Sequence, residues 1–426
     1  MKAEIKERIE MISRGEVPEG YKKTKVGIIP EDWEVKRFGQ EFKVNQGLQI
    51  PIKDRHRKKV QGSYVYITND YINNLNDGYE VEYIKDPSKT VICTSRDILM
   101  TRTGNTGIVV TGVEGVFHNN FFKVKYDDRK HNYMFIVYLF KSSQIQHDIS
   151  RLAGTSTIPD LTHSDFYSLE SAFPPLPEQK KIAQILSTWD KAIELKEQLL
   201  EVKKEQKKGL MQRLLTGEDR LPGYNEEWEE IRLGDIGQTF NGLSGKSAKD
   251  FGEGKPFITY KNIFDNSRVD IEEVDYVEVS ENENQNIAKY GDIFFTTSSE
   301  TPDEVGMSSV LLDEVEELYL NSFCFGYRLY DFETLIPEYA RFLFRGKTFR
   351  NKIFKLAQGS TRFNISKNEV MKLNIKLPLL QEQKAIAQVL STADKEIELL
   401  EEELEQLKLQ KKGLMQLLLT GIIRVQ

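Results

Sequence analysis

The sequence predicts an α+β chain made of two half-units, each a globular head of mixed strands and helices followed by one long helix. Three observations carry this reading. A helical stretch is written twice, about 204 residues apart, at 174–217 and 378–421, with roughly 30 of 44 positions identical. Each copy spaces its apolar residues by alternating steps of four and three, the seam of a coiled coil rather than of a buried helix. The segments ahead of the two copies share anchors at shifts near 195: Trp33 with Trp228, Gly39 with Gly234, Gly47-Leu48 with Gly242-Leu243, and Asp97-Ile98 with Asp292-Ile293.

In the first head, Ser63–Thr68, Asp97–Thr101, Gly107–Thr111 and Phe121–Lys125 read as strands between Gly and Asn turns, and Tyr133–Ser150 has helical spacing. The second head echoes this order with strands at Pro256–Thr259, Asp292–Thr296, Ser308–Leu312 and Phe323–Arg328, then a helix over Pro337–Gln358. Prolines at 174, 175 and 177, and at 378, set an extended entry to each long helix. Thr216-Gly217 and Thr420-Gly421 supply a glycine suited to the C-terminal cap. The seam of the second copy is almost wholly apolar (Ile386, Leu390, Ala393, Ile397, Leu400, Leu404, Leu407, Leu414, Leu418), with Lys411 in its one gap. The first copy places Lys196, Lys203 and Lys207 on its seam, which predicts pairing with the cleaner second helix rather than with itself. In an antiparallel or offset pair, Glu401, Glu402, Glu403 and Glu405 would meet Lys203, Lys204, Lys207 and Lys208.

Composition narrows the function. The chain has 426 residues, 39% hydrophobic and 29% charged, enough for several cores, and lacks both a bilayer-length apolar run and a signal-peptide core at its start, so a cytoplasmic location is expected. Cys93 and Cys324 sit in separate halves inside apolar runs, as reduced, buried thiols do. A net charge of −7 excludes a generic basic nucleic-acid binder. The charge is uneven: residues 29–173 carry about 18 positive and 18 negative groups, residues 222–377 about 18 and 27. From Arg341 to Lys376 there are roughly ten cations and one acid, Glu369.

Pro-x-x-x-Glu-Gln-Lys-x-Ile-Ala opening a helix that closes Gln-Lys-Lys-Gly-Leu-Met-Gln-x-Leu-Leu-Thr-Gly resembles the central and C-terminal helical regions of type I restriction–modification specificity subunits. The run from Tyr21 to Trp33 resembles the entry to that family's first target-recognition domain, and Arg96–Gly107 its strand-loop. The resemblance implies target-recognition domains at 29–173 and 218–377, helical spacers at 174–217 and 378–426, and a segment 1–28 that packs with the C-terminal end, a pseudo-twofold circular layout. It further implies that each domain reads half of a split, asymmetric site in double-stranded DNA, while the antiparallel helices fix the unread gap. Two modification (methyltransferase) subunits would dock on the scaffold and use S-adenosylmethionine to methylate adenine; two restriction subunits would add ATP- and Mg-dependent translocation and cleavage. None of these cofactors is expected on this chain. The loop Thr296–Thr301 departs from the family's glycine-containing pattern.

Reading DNA requires cations or amides for phosphates and amide, guanidinium or hydroxyl groups for base edges. In the first head the candidates are Lys53, Arg55, Arg57, Lys58 and Lys59 in one basic loop, Thr101, Arg102, Thr103 and Asn105 at a strand end, and Thr155, Ser156 and Thr157 after Gly154. Asn69, Asn119 and Asn120 are weaker. In the second head they are Lys246, Lys249, Lys261, Asn262, and Ser360, Thr361, Arg362 and Asn364 after Gly359, with Arg345, Lys347, Arg350 and Lys352 for phosphates. The plain alternatives are solvated loops, turn chemistry and a solvated helix face.

Catalysis is not expected. The chain has no Walker-type phosphate loop, no Asn/Asp-Pro-Pro-Tyr/Phe run and no Gly-x-Gly-x-x-Gly turn. Its five histidines show no metal-ligand spacing. Asp160, His163 and Asp165 read as helix-start residues. A nuclease using Asp32 with Glu41 and Lys43 is the weakest alternative, since Glu-x-Lys recurs on the long helix. An adapter joining two protein-binding heads is the other.

Overall fold

The computed structural model describes residues 3–74, 80–154, 158–280 and 282–425. They form two compact units, Met1–Lys196 with Glu403–Gln426, and Glu197–Glu402. Both long helices, Leu176–Leu214 and Leu380–Leu419, are continuous. Each unit is therefore one head plus part of each helix.

In the first unit an antiparallel sheet runs in the order Phe42–Gln46, Phe121–Tyr126, Ile98–Thr101, Val109–Val110. Its central strand is covered on both sides: Phe121, Phe122, Lys123 and Val124 are all buried, with the Lys123 ammonium on the Ile92 carbonyl at 2.6 Å. A second sheet, Tyr83–Lys85, Ser63–Ile67, Gly115–Phe117, Ile92–Cys93, is mixed, with Gly115–Phe117 parallel to Ser63–Ile67. The second unit repeats the first sheet as Gly237–Asn241, Cys324–Leu329, Ile293–Thr296, Ser308–Val310, beside a three-stranded sheet of Val274–Val277, Phe251–Ile258 and Tyr319–Leu320. Two short pairs, Glu34–Arg37 with Glu170–Phe173 and Glu229–Arg232 with Asn374–Leu377, were not expected from the sequence. Glu34–Arg37 and Glu229–Arg232 are charged and lack the apolar alternation that signals a strand.

The single helix expected over Tyr133–Ser150 is two, Tyr133–Lys141 and Ser143–Ala153. Ser142 is extended between them, and its hydroxyl caps the second helix at Ile145, a bond that competes with continuing the first. The second head breaks at the equivalent place, into Pro337–Leu343 and Lys347–Leu356, with Gly346 extended between them.

In each unit the two helix segments pair antiparallel. In the first, Lys196 meets Glu403 at 2.6 Å and Lys411 meets Asp190. In the second, Lys203 meets Glu396 at 2.6 Å, Lys204 meets Glu401 at 2.8 Å, and Lys207 meets Asp394. Within each unit the numbers rise along one helix as they fall along the other, 190 with 411 and 196 with 403, then 203 with 396 and 207 with 394, while Lys204 reaches back to Glu401. Of the charge pairing expected from sequence, Lys204–Glu401 forms as drawn; Lys203 and Lys207 reach acids nearer the head, and Lys208 reaches Glu205 on its own helix at 3.1 Å. Two of the four seam lysines, Lys207 and Lys411, are thus accommodated by aspartates that the two copies share, Asp394 and Asp190; Lys196 and Lys203 reach glutamates. Leu418 and Leu419 join the first core, with Ile182 and Leu186; Leu214 and Leu215 join the second, with Ile386 and Leu390.

The Glu-Gln pair at each helix entry ties helix to head. Glu178, 5% exposed, accepts from the Trp33 indole (3.0 Å) and from Arg424 Nε and Nη2 (2.8 and 2.9 Å). Glu382, 2% exposed, accepts from the Trp228 indole (3.3 Å) and from Arg220 Nε and Nη2 (both 2.7 Å). The neighbouring glutamines cap the helices ahead: Gln179 accepts from the Asn132 N–H at 2.9 Å, and Gln383 from the Ile336 N–H at 3.1 Å. At the chain's ends, Tyr21 donates to the Gly421 carbonyl and Arg8 to the Ile422 carbonyl, both at 2.8 Å.

Candidate nucleic-acid interface

One rim is built the same way in both heads, at the end of the main sheet. Its foundation is a threonine closing a sheet strand. The Thr101 hydroxyl accepts from the Ile108 N–H at 2.9 Å, and the Thr296 hydroxyl from the Met307 N–H at 3.0 Å. The Gly107 N–H returns to the Thr101 carbonyl (2.8 Å) and the Gly306 N–H to the Thr296 carbonyl (3.1 Å). Both glycines have positive φ, +92° and +66°, and a β-carbon would press on Gln146 and Ile149 or on Ile353 and Ile365. Glycine is the residue that tolerates both demands. The second head therefore does keep the loop glycine, a correction to the sequence expectation; its loop is longer and the glycine comes later.

From this foundation the backbone pattern repeats. The Arg102 N–H donates to the Asn120 carbonyl (2.7 Å), and the Arg102 carbonyl accepts from the Leu161 N–H (2.8 Å). In the other head the Thr297 N–H donates to the Phe323 carbonyl and the Thr297 carbonyl accepts from the Ile365 N–H, both at 3.0 Å. Thr103 bridges to Asp160, and Ser298 pairs with Asn364. A short helix is moored to the same strand by Asn69, whose amide reaches the Thr103 carbonyl at 3.4 Å, or by Tyr260, whose hydroxyl reaches the Ser298 carbonyl at 2.7 Å.

The backbone repeats; the side chains do not. Gln46 stands opposite Asn241 at the strand end, Arg102 opposite Thr297, Asn120 opposite Phe323, Asp160 opposite Asn364, and His163 opposite Lys367. Such a rim presents two different sets of donors and acceptors on one fixed frame, the requirement for reading two different sequences. Arg102 is held in place, paired with Asp160 at 2.7 Å and lying over the Phe122 ring. The turn behind Asn120 is fixed by His118, whose imidazole is pushed down by burial and by nearby Arg55. Its Nδ1 accepts from the Asn120 N–H at 3.1 Å.

Other predicted residues scatter. Lys53, Arg57, Lys58 and Lys59 are exposed on the basic loop, with Arg57 3.5 Å from Glu80. Arg55 turns inward, to the Ile50 carbonyl and Glu82, both at 2.9 Å. The Thr101 hydroxyl is buried and spent on the loop, so Thr101 is scaffold rather than contact. Asn105 is exposed. Thr155, Ser156 and Thr157 lie outside the described residues. In the second head Ser360, Thr361, Arg362 and Asn364 are exposed, as are Lys249 and Lys261, the latter 2.6 Å from Asp265. Lys246 is drawn inward to Glu283, and Asn262 is buried with its amide on the Asp270 and Glu273 carbonyls at 2.7 and 2.8 Å. Both serve the fold.

The cationic stretch from Arg341 is largely internal as well. Arg345 donates to the carbonyls of Ser308, Ile263, Phe264 and Asn266, and burial pushes its guanidinium down to about 10. Arg350 holds the Gly306 carbonyl at 2.5 Å, where Gln146 holds the Gly107 carbonyl at 2.9 Å. Arg341 is paired with Asp394, and Lys352 reaches the Asn374 carbonyl at 2.5 Å. These cations close loops rather than face phosphate; Lys347 is exposed. Sequence reasoning missed Gln46, Asn241, Phe323 and Lys367. Aligning the two heads at shifts of 195, 203 and 204 finds them, because that alignment exposes positions where the framework agrees and the residue does not.

Among the described residues no group of His, Cys, Asp or Glu is arranged to hold a metal, and no helix is long and apolar enough to cross a membrane.

Comparison with known proteins agrees along nearly the whole chain. It is 28% identical over 413 residues to the type I restriction enzyme MjaVIII specificity subunit of Methanocaldococcus jannaschii, covering 93% of this chain and 94% of that one. It is 25% identical over 266 residues to the EcoKI specificity subunit of Escherichia coli, covering 59% and 56%. The S subunit from M. genitalium superposes with a TM-score of 0.52 at 18% identity, covering 91% and 96%. A chain solved in a study of type I R-M complex assembly and conformational transition gives 0.57 at 17%, covering 93% and 99%. These two share the fold: two α+β heads with two long helices. The profile of the type I restriction modification DNA specificity domain matches residues 30–204 and again 225–409. With both halves of its repeat matched, the chain belongs to the type I restriction–modification DNA specificity family.

Proposed function

We propose that each rim reads one half of a split, asymmetric DNA site and that the paired helices set the unread gap between the halves. Family membership brings DNA binding and assembly with other subunits of the system. The observation that carries the finer reading is the rim itself, one backbone frame carrying unlike side chains in the two heads. In this reading the scaffold docks two modification subunits, which bind S-adenosylmethionine and methylate an adenine in each half-site, and two restriction subunits, which consume ATP with Mg. This chain supplies selection and spacing; extruding and modifying the base belong to its partners.

Mapping N6-methyladenine across genomes of cells with and without this chain tests the reading. A split motif that disappears on deletion is expected. A methylome that is unchanged, or that loses only a continuous motif, contradicts it.

A further inference from the structure

The most exposed aromatic near the rim of the second head is Phe323, 60% exposed at the tip of the turn Asn321–Phe323. Hydrophobic side chains exposed singly are common and need no explanation. What sets Phe323 apart is its mooring and its setting. Its N–H donates to the Asn321 side chain at 2.8 Å, and its carbonyl accepts from the Thr297 N–H and hydroxyl at 3.0 and 2.6 Å. Neighbouring rim residues are polar and bonded to one another: Lys367 donates to the Asn241 side-chain oxygen at 2.6 Å, and Ser298 pairs with Asn364. A large ring is thus held on a fixed turn within a hydrogen-bonding surface. The first head has Asn120 at this position, on the same backbone bonds.

We propose that Phe323 makes an apolar contact with a base in the half-site read by the second head, and so determines part of its specificity. The inference rests on the rims being the reading surfaces. A phenyl ring on such a face has two partners of the same chemistry, the C5-methyl group of a thymine or the flat face of a partly unstacked base. Either is desolvated on contact, and neither tolerates replacement by a methyl side chain. The rigid turn matters because an aromatic that is already positioned loses little freedom on binding.

The test compares N6-methyladenine motifs in cells expressing the full system with the natural chain, Phe323→Ala or Phe323→Leu. Phe323→Ala is expected to cut methylation at least tenfold at the natural motif, or to make one position of one half degenerate, leaving the other half and the gap intact. Phe323→Leu should restore part of the loss. Asn120→Ala should alter the opposite half. With the purified complex, uracil in place of thymine at the affected position should reproduce the loss if the methyl group is the partner. An abasic substitution there should do so if the partner is a base face. A Phe323→Ala motif identical to the natural one overturns the proposal. So does a complete loss that Phe323→Leu does not relieve and that accompanies failure of the subunits to assemble. A split motif in the natural strain combined with either of these results would leave the proposed function standing and this inference fallen.

Discussion

Glu178 and Glu382 hold their helices to their heads from nearly closed sites, each with an arginine fork and an indole N–H. Removing one partner strands a charge, so Glu382→Ala should cost about 2–3 kcal/mol in urea unfolding, less than a sealed pair because Arg220 keeps some solvent. In the Arg220→Ala/Glu382→Ala double variant the loss should fall short of the sum, the mark of direct coupling. A pH-dependent contact lies in the first head, where Glu41 is buried against His131 (2.7 Å) and Lys36 (3.3 Å). Burial alone would raise the Glu41 carboxyl, but the His131 and Lys36 interactions outweigh it and hold it below the usual range. A depressed folded-state value means the stabilisation is whole above the ordinary glutamate value and fades as pH falls through the folded one. Glu41→Gln should therefore be less stable than the natural chain at pH 7, with the gap narrowing in acid melts below about pH 4.5. At this scale the sequence was a mixed guide. The Glu-Gln motif was visible but its meaning was not, because Arg424 lies 246 residues from Glu178. Arg345 and Arg350 looked like phosphate ligands because composition counts a cation without revealing the carbonyls that surround it.

Among elements, the loop after the rim strand is the most constrained. Gly306→Ala would place a β-carbon 2.8 Å from Ile353 and Ile365 at a positive φ, for an expected loss of about 1–3 kcal/mol by thermal melting. Because the Gly306 carbonyl also receives Arg350, the same variant should loosen the second half of the recognition motif before it disturbs the first. Strands with apolar runs were legible, as at Phe121–Tyr126 and Ile293–Thr296. The helix breaks at Ser142 and Gly346 were not, since apolar spacing continues through both and only the local capping geometry interrupts the helix. The charged strands Glu34–Arg37 and Glu229–Arg232 were missed because their pairing is made by distant partners, Glu170–Phe173 and Asn374–Leu377.

For the molecule as a whole, the internal repeat was the strongest signal in the sequence, and it stayed legible because the helical copies are constrained along their length. The rims were less legible for the converse reason: their common frame is made of backbone hydrogen bonds, which leave few marks in the sequence, while their side chains differ by design of the repeat. The proposed division of labour assigns selection to the rims and spacing to the helices, so the two should be separable. Deleting seven residues from each helix, 193–199 and 400–406, removes facing stretches around the Lys196–Glu403 pair. Seven residues correspond to about 10 Å of helix, roughly three base-pair steps. The most direct measurement is the methylation motif of cells carrying this shortened chain with its modification subunits. Both half-motifs should be unchanged and the gap shorter by about three base pairs; an unaltered gap would contradict the spacing role of the helices.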